Sequence, residues 1–391
     1  MSLNCVLITR GTVGEVHPVL QLAKALSKRR HSVTVVSHET FSPDAAAEGI
    51  PFKALDVVEE HAAFLNDGCD LNVPNTVPRF FRKHCLPKIT RDYKILSALC
   101  RRPNSVLISR AAASFAELMI SENLGVPIVR LFTAVAQQTA MHLVIDLVSS
   151  KLAEDINAAR AQLGFSPIEN WRHWLELPAL QLGFWPDWFA SEISDRELNP
   201  VGFVFGGTSA PSIPADLAIK TPANGKPVLI TAGTGKFVSQ KFFDVSLKAC
   251  KMLGRKAVVV CQRPDLVPFA SSESVTVLRW VPSLLSLMKE MSAVVHHGGT
   301  ITAAEAFAAG LPQVVLPVGP DRLDTATRLR RLGVAEFIEQ HALHEKAVAH
   351  RLQHLLQSES VACSCRAISS KIDTLATARA CDLIEQSILG Q

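Results

Sequence analysis

Short apolar runs alternate with helix-length segments along the first third of the chain. The apolar run Cys5–Thr9 is followed by helical spacing over Val19–Leu26 and by the β-branched segment Ser32–Val36. The same order recurs where the apolar segments Ser105–Ser109 and Val126–Phe132 flank a helix-length stretch. A repeat of strand, helix and strand predicts a parallel sheet that is covered by helices.

A second series of strands follows a segment rich in Pro, Gly and Ser. The sequence PVLITAG at Pro227–Gly233 is typical of a new first strand. Further strands are predicted at Ala257–Cys261, Val275–Leu278, Ala293–His296 and Gln313–Leu316. We therefore predict an α/β fold of two doubly wound, Rossmann-like domains that face each other across a cleft, with ligands at the carboxyl ends of the strands.

The composition excludes several classes of protein. A chain of 391 residues exceeds one ordinary core, and 48% hydrophobic against 19% charged residues excludes general disorder. No apolar run approaches the roughly 18 residues of a membrane span, so we expect a cytoplasmic protein without stable membrane insertion. Basic residues exceed acidic ones by only 40 − 36 = 4 and are scattered, so nucleic-acid binding is not expected.

The cysteines favour neither disulfides nor zinc. Nine cysteines lie at irregular spacings, and no CxxC motif occurs among them. We expect reduced thiols in the core and no metal site.

The segment GTVGEVHP, Gly11–Pro18, lies where the first predicted strand gives way to a helix. Its glycines allow a tight turn, which presents Glu15 and His17 at the carboxyl edge of the sheet. Either side chain is a candidate general base. An alternative is that Glu15 caps the helix and His17 only packs.

The segment HHGGTIT, His296–Thr302, is the stronger chemical signal. A strand leads into two histidines and two glycines, and a helix is predicted to start near Thr302. Backbone N–H groups and the positive end of a helix dipole then meet where an anion such as a diphosphate fits. We expect one histidine to be a ligand and the other to pack in the interior.

Together with three further segments, these motifs resemble a known family. RWVP at Arg279–Pro282, WPDWF at Trp185–Phe189 and VLITAGTG at Val228–Gly235 are similar to GT-B-fold glycosyltransferases. That family includes the macrolide, glycopeptide-antibiotic, sterol and rhamnolipid glycosyltransferases, and the resemblance spans nearly the whole chain.

The resemblance implies a domain plan. Residues 1–205 form an acceptor-binding domain, residues 206–226 a linker, and residues 227–370 a nucleotide-sugar-binding domain. Residues 371–391 form a C-terminal helix that packs back on the first domain.

The resemblance also implies the site residues. Glu15 stands at the position of the family's catalytic base, and His17 is the alternative. Trp280 matches an aromatic residue beside the nucleobase, although a core tryptophan is the competing interpretation. The positions implied in donor binding are Gly14, Thr234, Trp280, Val281, His296, His297, Gly298, Gly299, Thr300, Thr302, Asp321 and Arg322.

The chain departs from the family pattern at four positions. Arg322 replaces a Gln that contacts the sugar, and a guanidinium can only donate hydrogen bonds, which favours a deoxysugar or another unusual donor. Ile301 replaces a Gly of the phosphate loop. Ser109 and Arg110 stand where an acidic partner of the base is often found.

The resemblance implies an inverting, metal-independent glycosyltransferase without a cofactor. It would move a sugar from a UDP- or dTDP-sugar to a hydroxyl of an apolar natural product, phenol or lipid. A nucleotide-sugar 2-epimerase and a non-catalytic nucleotide-sugar-binding protein remain alternatives, and a dinucleotide-dependent oxidoreductase is less favoured because GTVGEV is not GxGxxG. The acceptor and the formation of a homodimer stay open.

Overall fold

The chain divides into two compact units. The first comprises Met1–Val204 with Thr374–Gln391, and the second comprises Phe205–Asp373. Most of the predicted linker, 206–226, lies outside the described residues. The computed structural model describes residues 2–68, 76–110, 114–193, 197–206, 225–267 and 271–390.

Within its described residues, the first unit contains a seven-stranded parallel sheet. The strands are β1 (Asn4–Ile8), β2 (Ser32–His38), β3 (Phe52–Asp56), β4 (Ser105–Arg110), β5 (Ile128–Phe132), β6 (Leu180–Gly183) and β7 (Leu198–Pro200). Their spatial order is β3-β2-β1-β4-β5-β6-β7. The order reverses between β1 and β4, which is the topological switch point of a doubly wound fold.

The described part of the second unit contains a six-stranded parallel sheet. The strands are β8 (Val228–Thr231), β9 (Ala257–Val260), β10 (Val275–Leu278), β11 (Ala293–His296), β12 (Gln313–Val315) and β13 (Ala335–Phe337). Their order, β10-β9-β8-β11-β12-β13, has its switch point between β8 and β11. Two Rossmann-like sheets confirm the predicted fold class.

Helices connect the strands in both units. The α-helices are α1 (Val13–Lys28), α2 (Ser42–Ala47), α3 (Val58–Asp67), α4 (Thr76–His84), α5 (Ile89–Cys100), α6 (Ala116–Leu124), α7 (Val135–Thr139), α8 (Met141–Leu147), α9 (Ala153–Ala161), α10 (Trp171–Leu175), α11 (Gln240–Met252), α12 (Leu284–Met288), α13 (Thr300–Ala308), α14 (Pro320–Arg331), α15 (Glu345–Gln357), α16 (Glu359–Ser369) and α17 (Ala376–Leu389). A π-helical segment, Val148–Leu152, joins α8 to α9, and short 3-10 helices occupy Glu39–Phe41, Leu86–Lys88, Asp187–Phe189 and Gln340–Ala342.

Apolar side chains cover both faces of the first sheet. Because successive residues of a strand point to opposite faces, Cys5 and Leu7 of β1 pack in a core with α1 and α17. Val6 and Ile8 pack in a second core with α5 and α6. Burial on both faces explains why the central strands are continuous apolar runs.

The C-terminal helix α17 belongs to the first unit. Ile384 is fully buried in the core that contains β1 and α1. Arg29 at the end of α1 forms ion pairs with Asp382 and Glu385 at N–O distances of 2.6 and 2.8 Å. His31 Nε2 also lies 2.8 Å from a carboxylate oxygen of Glu385. Apolar packing and ion pairs together hold α17 against α1.

No described helix combines the length and the apolar composition that a membrane span requires.

Replacing Ile384 by Ala tests the packing of α17 against the core that contains β1 and α1. We expect the free energy of unfolding to fall by about 2–4 kcal/mol, because the change opens a cavity in a closed core. The matched control is Leu389→Ala on the same helix, where the side chain is 36% exposed and the loss stays below about 1 kcal/mol. Urea unfolding of both variants measures the difference, and equal losses would contradict the packing of α17 in this core.

Candidate active site

Glu15 lies in the first turn of α1, directly after β1. Its Oε2 accepts hydrogen bonds from the backbone N–H of Thr12 at 2.8 Å and from the Thr12 hydroxyl at 3.2 Å. Its Oε1 lies 3.2 Å from Nη1 of Arg110 at the end of β4. The Glu15 carboxylate therefore caps the helix and forms an ion pair, while 27% of the side chain stays exposed.

His17 has a carboxylate partner of its own. Its Nε2 lies 3.2 Å from Oδ2 of Asp44 on α2, and both side chains are partly exposed. A carboxylate that orients an imidazole is a common arrangement for a general base. The sequence analysis did not find Asp44, because 27 residues separate it from His17.

Two histidines hold the turn that precedes Glu15. Gly11 has a φ of +128°, and a Cβ at this position would overlap the Glu15 carboxylate. The Gly11 N–H donates to Nε2 of His38 at 3.1 Å, and Nε2 of His61 donates to the Gly11 carbonyl at 2.9 Å. The two imidazoles stack with their centroids 4.0 Å apart. Both backbone polar groups of the turn are thus satisfied.

A buried charge network fixes the protonation of His38. Its Nδ1 lies 2.8 Å from Asp56, whose carboxylate also contacts Lys88 at 3.3 Å. Burial lowers the pKa of His38 to about 4. Burial opposes ionisation of Asp56, but its hydrogen bond with His38 and the nearby cations lower its pKa to about 2. His38 is therefore neutral near pH 7, and its Nε2 can accept from Gly11.

A buried acid approaches the end of β4 from α6. The Ser109 hydroxyl donates to Oε1 of Glu117 at 3.0 Å, and Oε2 of Glu117 is buried without a hydrogen-bond partner. Burial raises the pKa of Glu117 to about 7. An acid from α6 thus lies beside Ser109, whereas the family pattern implies an acid at the position of Ser109 or Arg110 itself.

Gly14 is the second residue of α1. Because Pro18 has no N–H, the carbonyl of Gly14 cannot make the usual helical hydrogen bond four residues ahead.

In the second unit, the two histidines at the end of β11 have different surroundings. His296 is fully buried, and its Nδ1 accepts from the N–H of Gly298 at 3.3 Å. The His297 ring lies against Gly233 and Gly299, where added Cβ atoms would come within 2.8 Å of it. Nδ1 of His297 and Nε2 of His296 are buried without hydrogen-bond partners. The contacts favour His296 as the packing residue and His297 as the ligand.

Both histidines are uncharged near pH 7. Burial lowers the pKa of His296 to about 4. Burial, helped by the positive charge of Arg322, holds the pKa of His297 well below its usual range. Each imidazole can therefore donate one hydrogen bond but brings no charge.

Helix α13 starts two residues before the predicted start, at Thr300. Its first helical hydrogen bond runs from the Ala303 N–H to the Gly299 carbonyl, so the N–H groups of Thr300, Ile301 and Thr302 have no acceptor within the helix. The only turn glycine here with a positive φ is Gly298, at +96°. Ile301 fits because its position is helical and does not require a glycine.

Trp280 is 62% exposed in the loop after β10, so it is not a core tryptophan. Arg279 anchors that loop by donating to the Val267 carbonyl at 3.0 Å. Val281, the next residue, is partly buried. The order β10-β9-β8-β11 puts three strand spacings, about 14 Å, between the ends of β10 and β11. Thr234 follows β8, between them.

Arg322 and Asp321 lie in the first turn of α14. The Arg322 guanidinium lies 4.0 Å above the ring centre of Phe237, in the loop that follows Thr234. Nη1 of Arg322 lies 3.1 Å from the Asp321 carboxylate. Arg322 thus joins the loops after β8 and β12, and the sequence analysis had no signal for its contact with Phe237.

Glu305 on α13 is a buried acid that the sequence analysis missed. The residue is 7% exposed, and burial alone raises its pKa to about 8.

Among the described residues, no group of three His, Cys, Asp or Glu side chains could hold a metal ion.

Family models match both units. The model described as "Glycosyltransferase family 28 N-terminal domain" matches residues 5–143. The model described as "Erythromycin biosynthesis protein CIII-like, C-terminal domain" matches residues 257–382.

Individual glycosyltransferases are also similar to this chain in sequence or in structure. NDP-glycosyltransferase YjiC of Bacillus subtilis is 23% identical over 89% of this chain and 86% of its own length. O-mycaminosyltylonolide 6-deoxyallosyltransferase of Streptomyces fradiae is 35% identical over 26% of this chain and 24% of its own. The crystal structure of the glycosyltransferase VinC in complex with dTDP matches 98% of this chain and 99% of VinC, with a TM-score of 0.71 and 18% identity.

The fold and these matches define the class of protein. The chain is a glycosyltransferase and belongs to the GT-B glycosyltransferases of the natural-product type. This confirms the family that the sequence motifs predicted.

Replacing Glu305 by Gln should change the pH dependence of stability. Between the ordinary glutamate pKa of 4.5 and the raised pKa of about 8, the folded state holds a proton that the unfolded state has lost. Wild-type stability therefore falls as pH rises through that interval. We expect equal stability of both proteins at pH 5, and at pH 9 a gain for Glu305→Gln on the order of 4 kcal/mol.

Urea unfolding at pH 5, 7 and 9 measures this effect. Glu273→Gln, at an exposed position of the same unit, is the matched control and should change little at any pH. A stability difference between wild type and Glu305→Gln that does not vary with pH would show that Glu305 is already ionised in the folded protein.

Proposed function

We propose that this enzyme transfers a sugar from a UDP- or dTDP-sugar to a hydroxyl group of an apolar acceptor, with inversion and without a metal or cofactor. The first unit would bind the acceptor and the second the donor. The observation that carries the proposal is the turn from His297 to Thr302. It presents free helical N–H groups and an unpartnered buried imidazole at a switch point.

The arrangement of the second unit supports an elongated, anionic donor. Trp280 offers an exposed indole face to a nucleobase, and the N-terminus of α13 offers its N–H groups to a diphosphate. The strands that lead to these two points, β10 and β11, end roughly 14 Å apart, which suits a ligand with an aromatic end and a charged end. The deoxysugar in the name of the Streptomyces fradiae relative and the dTDP bound to VinC favour a dTDP-deoxysugar.

The proposed reaction is an in-line displacement at the anomeric carbon. A base takes the proton of the acceptor hydroxyl, and the oxygen forms a bond to the anomeric carbon. The bond from that carbon to the diphosphate oxygen breaks, and its electron pair leaves with the nucleoside diphosphate. The α13 N–H groups and the neutral His297 would stabilise the charge that develops there.

Glu15 is the proposed base, because it holds the family's catalytic position at the end of β1. His17 is a second candidate, because Asp44 lies 3.2 Å from its Nε2 while the Glu15 carboxylate is already paired with Arg110.

Exposed apolar side chains support an apolar acceptor. Val57 and Val58, each 49% exposed, follow β3 directly, and Leu143 on α8 is 59% exposed. Exposed apolar residues at the carboxyl end of a strand, such as Val57 and Val58, are candidates for ligand contact.

The described cysteines support a reducing, cytoplasmic compartment. All eight described cysteines are free thiols, as is usual in a reducing compartment. Burial raises the pKa of Cys5 and of Cys100 to about 12, so these thiols stay protonated.

A nucleotide panel tests the donor site. We expect UDP or dTDP to raise the melting temperature by several degrees, because a ligand at 100 times its Kd stabilises the protein by about 2.7 kcal/mol. GDP and NAD serve as controls in the same thermal-shift measurement. A shift with NAD alone, or with no nucleotide, would refute the proposed donor site.

Substitutions separate the two candidate bases. Glu15→Gln should reduce turnover about 100-fold or more with little change in nucleotide affinity, because the amide cannot take a proton although its oxygen can still cap α1, and the ion pair with Arg110 that is lost lies in the first unit. His17→Asn and Asp44→Asn should then have small effects. The assay follows nucleoside diphosphate release from the donor with a panel of apolar alcohols and phenols. Near-normal turnover of Glu15→Gln, with parallel losses in His17→Asn and Asp44→Asn, would assign the base to His17.

A further inference from the structure

Arg322 lies directly against the turn that precedes α13. Its backbone oxygen and its Cβ lie where a Cβ on Gly298 would come within 3.0 Å of both. Gly298 has a φ of +96°, so a residue without a side chain is needed there on two counts. Arg322 and the His297–Thr300 turn are thus fixed relative to each other within the second unit.

The guanidinium of Arg322 is held in place but not saturated. It lies 4.0 Å above the Phe237 ring centre, and Nη1 donates to the Val318 carbonyl at 3.1 Å. Its Nε is buried without a hydrogen-bond partner, and only 14% of the side chain is exposed. An orphaned donor in a largely buried guanidinium costs stability unless a ligand satisfies it.

Positive charge accumulates at this place. Arg322 lies in the first turn of α14, where the helix dipole disfavours a cation. The N-terminus of α13 lies on the other side of Gly298 and is also positive. Asp321 offsets part of this charge, but its side chain is 45% exposed and its field is screened by water.

A second observation points to a ligand rather than to a packing role. His297, which is only 8% exposed, has an Nδ1 without a hydrogen-bond partner beside the same turn. An unsatisfied imidazole, an unsatisfied guanidinium and a helix N-terminus therefore lie together, and a multiply charged anion would satisfy all three.

We infer that Arg322 binds the diphosphate of the nucleotide-sugar donor, and that it does not select the sugar. This inference rests on the proposed function and assigns a specific cation to its donor site. A guanidinium matches phosphate oxygens in charge and in fork geometry, and a Gln at this position could provide neither.

Isothermal titration of UDP, dTDP and the corresponding glucose nucleotides tests the inference. In Arg322→Gln, we expect the Kd of the free diphosphate to rise about 10- to 100-fold, which is the effect of losing a charge-assisted hydrogen bond. The Kd of the sugar nucleotide should rise by the same factor. Arg322→Lys keeps the charge without the fork and should fall between wild type and Arg322→Gln.

The matched control is Arg330→Gln. Arg330 lies two turns further along α14, about 12 Å away, and its guanidinium also stacks on an aromatic ring, 4.4 Å above that of Phe337. Loss of this stack should leave nucleotide affinity unchanged. If Arg322→Gln does not fold, a several-fold loss of affinity in Arg322→Lys carries the test.

Three outcomes would overturn the inference. Unchanged diphosphate affinity with altered sugar-nucleotide affinity would make Arg322 a sugar contact, with UDP-glucuronate testing a sugar carboxylate. Unchanged affinity for both would leave only the stack on Phe237. If wild type binds none of these nucleotides, the proposed donor site itself fails, and this role fails with it.

Discussion

The constraint on which the rest depends is that both sheets are parallel and buried on both faces. Each strand must then return through a helix, so all the strands of a sheet end at the same edge. Ile8 pairs with Ser109 across the switch point of the first sheet, and His296 pairs with Thr231 across that of the second. Helices diverge to opposite faces at these points and leave an opening, which is where both groups of candidate residues lie.

The turns before α1 and α13 have different buried polar surroundings. Next to the turn before α1, buried charges are paired, as in the bidentate contact of Arg10 with Asp92 at 2.8 and 3.0 Å, and this network fixes the turn. At the turn before α13 and on that helix, burial keeps His296, His297 and Glu305 uncharged. A fixed turn suits the positioning of a base. Neutral hydrogen-bond donors that are already in place suit the binding of an anion, because they need not reorganise when it binds.

The sequence predicted the strand ends and the glycine turns, because apolar runs and Gly-rich junctions are local signals. It did not predict the partners of the candidate bases, since 95 residues separate Glu15 from Arg110 and only the pairing of β1 with β4 brings them together. The exposure of Trp280 was equally hidden, because it depends on how Arg279 anchors the loop. Local patterns thus pointed to the candidate residues, but their charge states and contacts come from the topology.

Two of the departures from the family pattern place a cation at the edge of a sheet. Arg110 lies 3.2 Å from the Glu15 carboxylate, so in the proposed reaction this base would act beside a fixed positive charge. In the same proposed reaction, Arg322 would stabilise the negative charge of the diphosphate and make it a better leaving group. A better leaving group lowers the nucleophilicity that the acceptor oxygen needs, and with it the proton transfer demanded of the base.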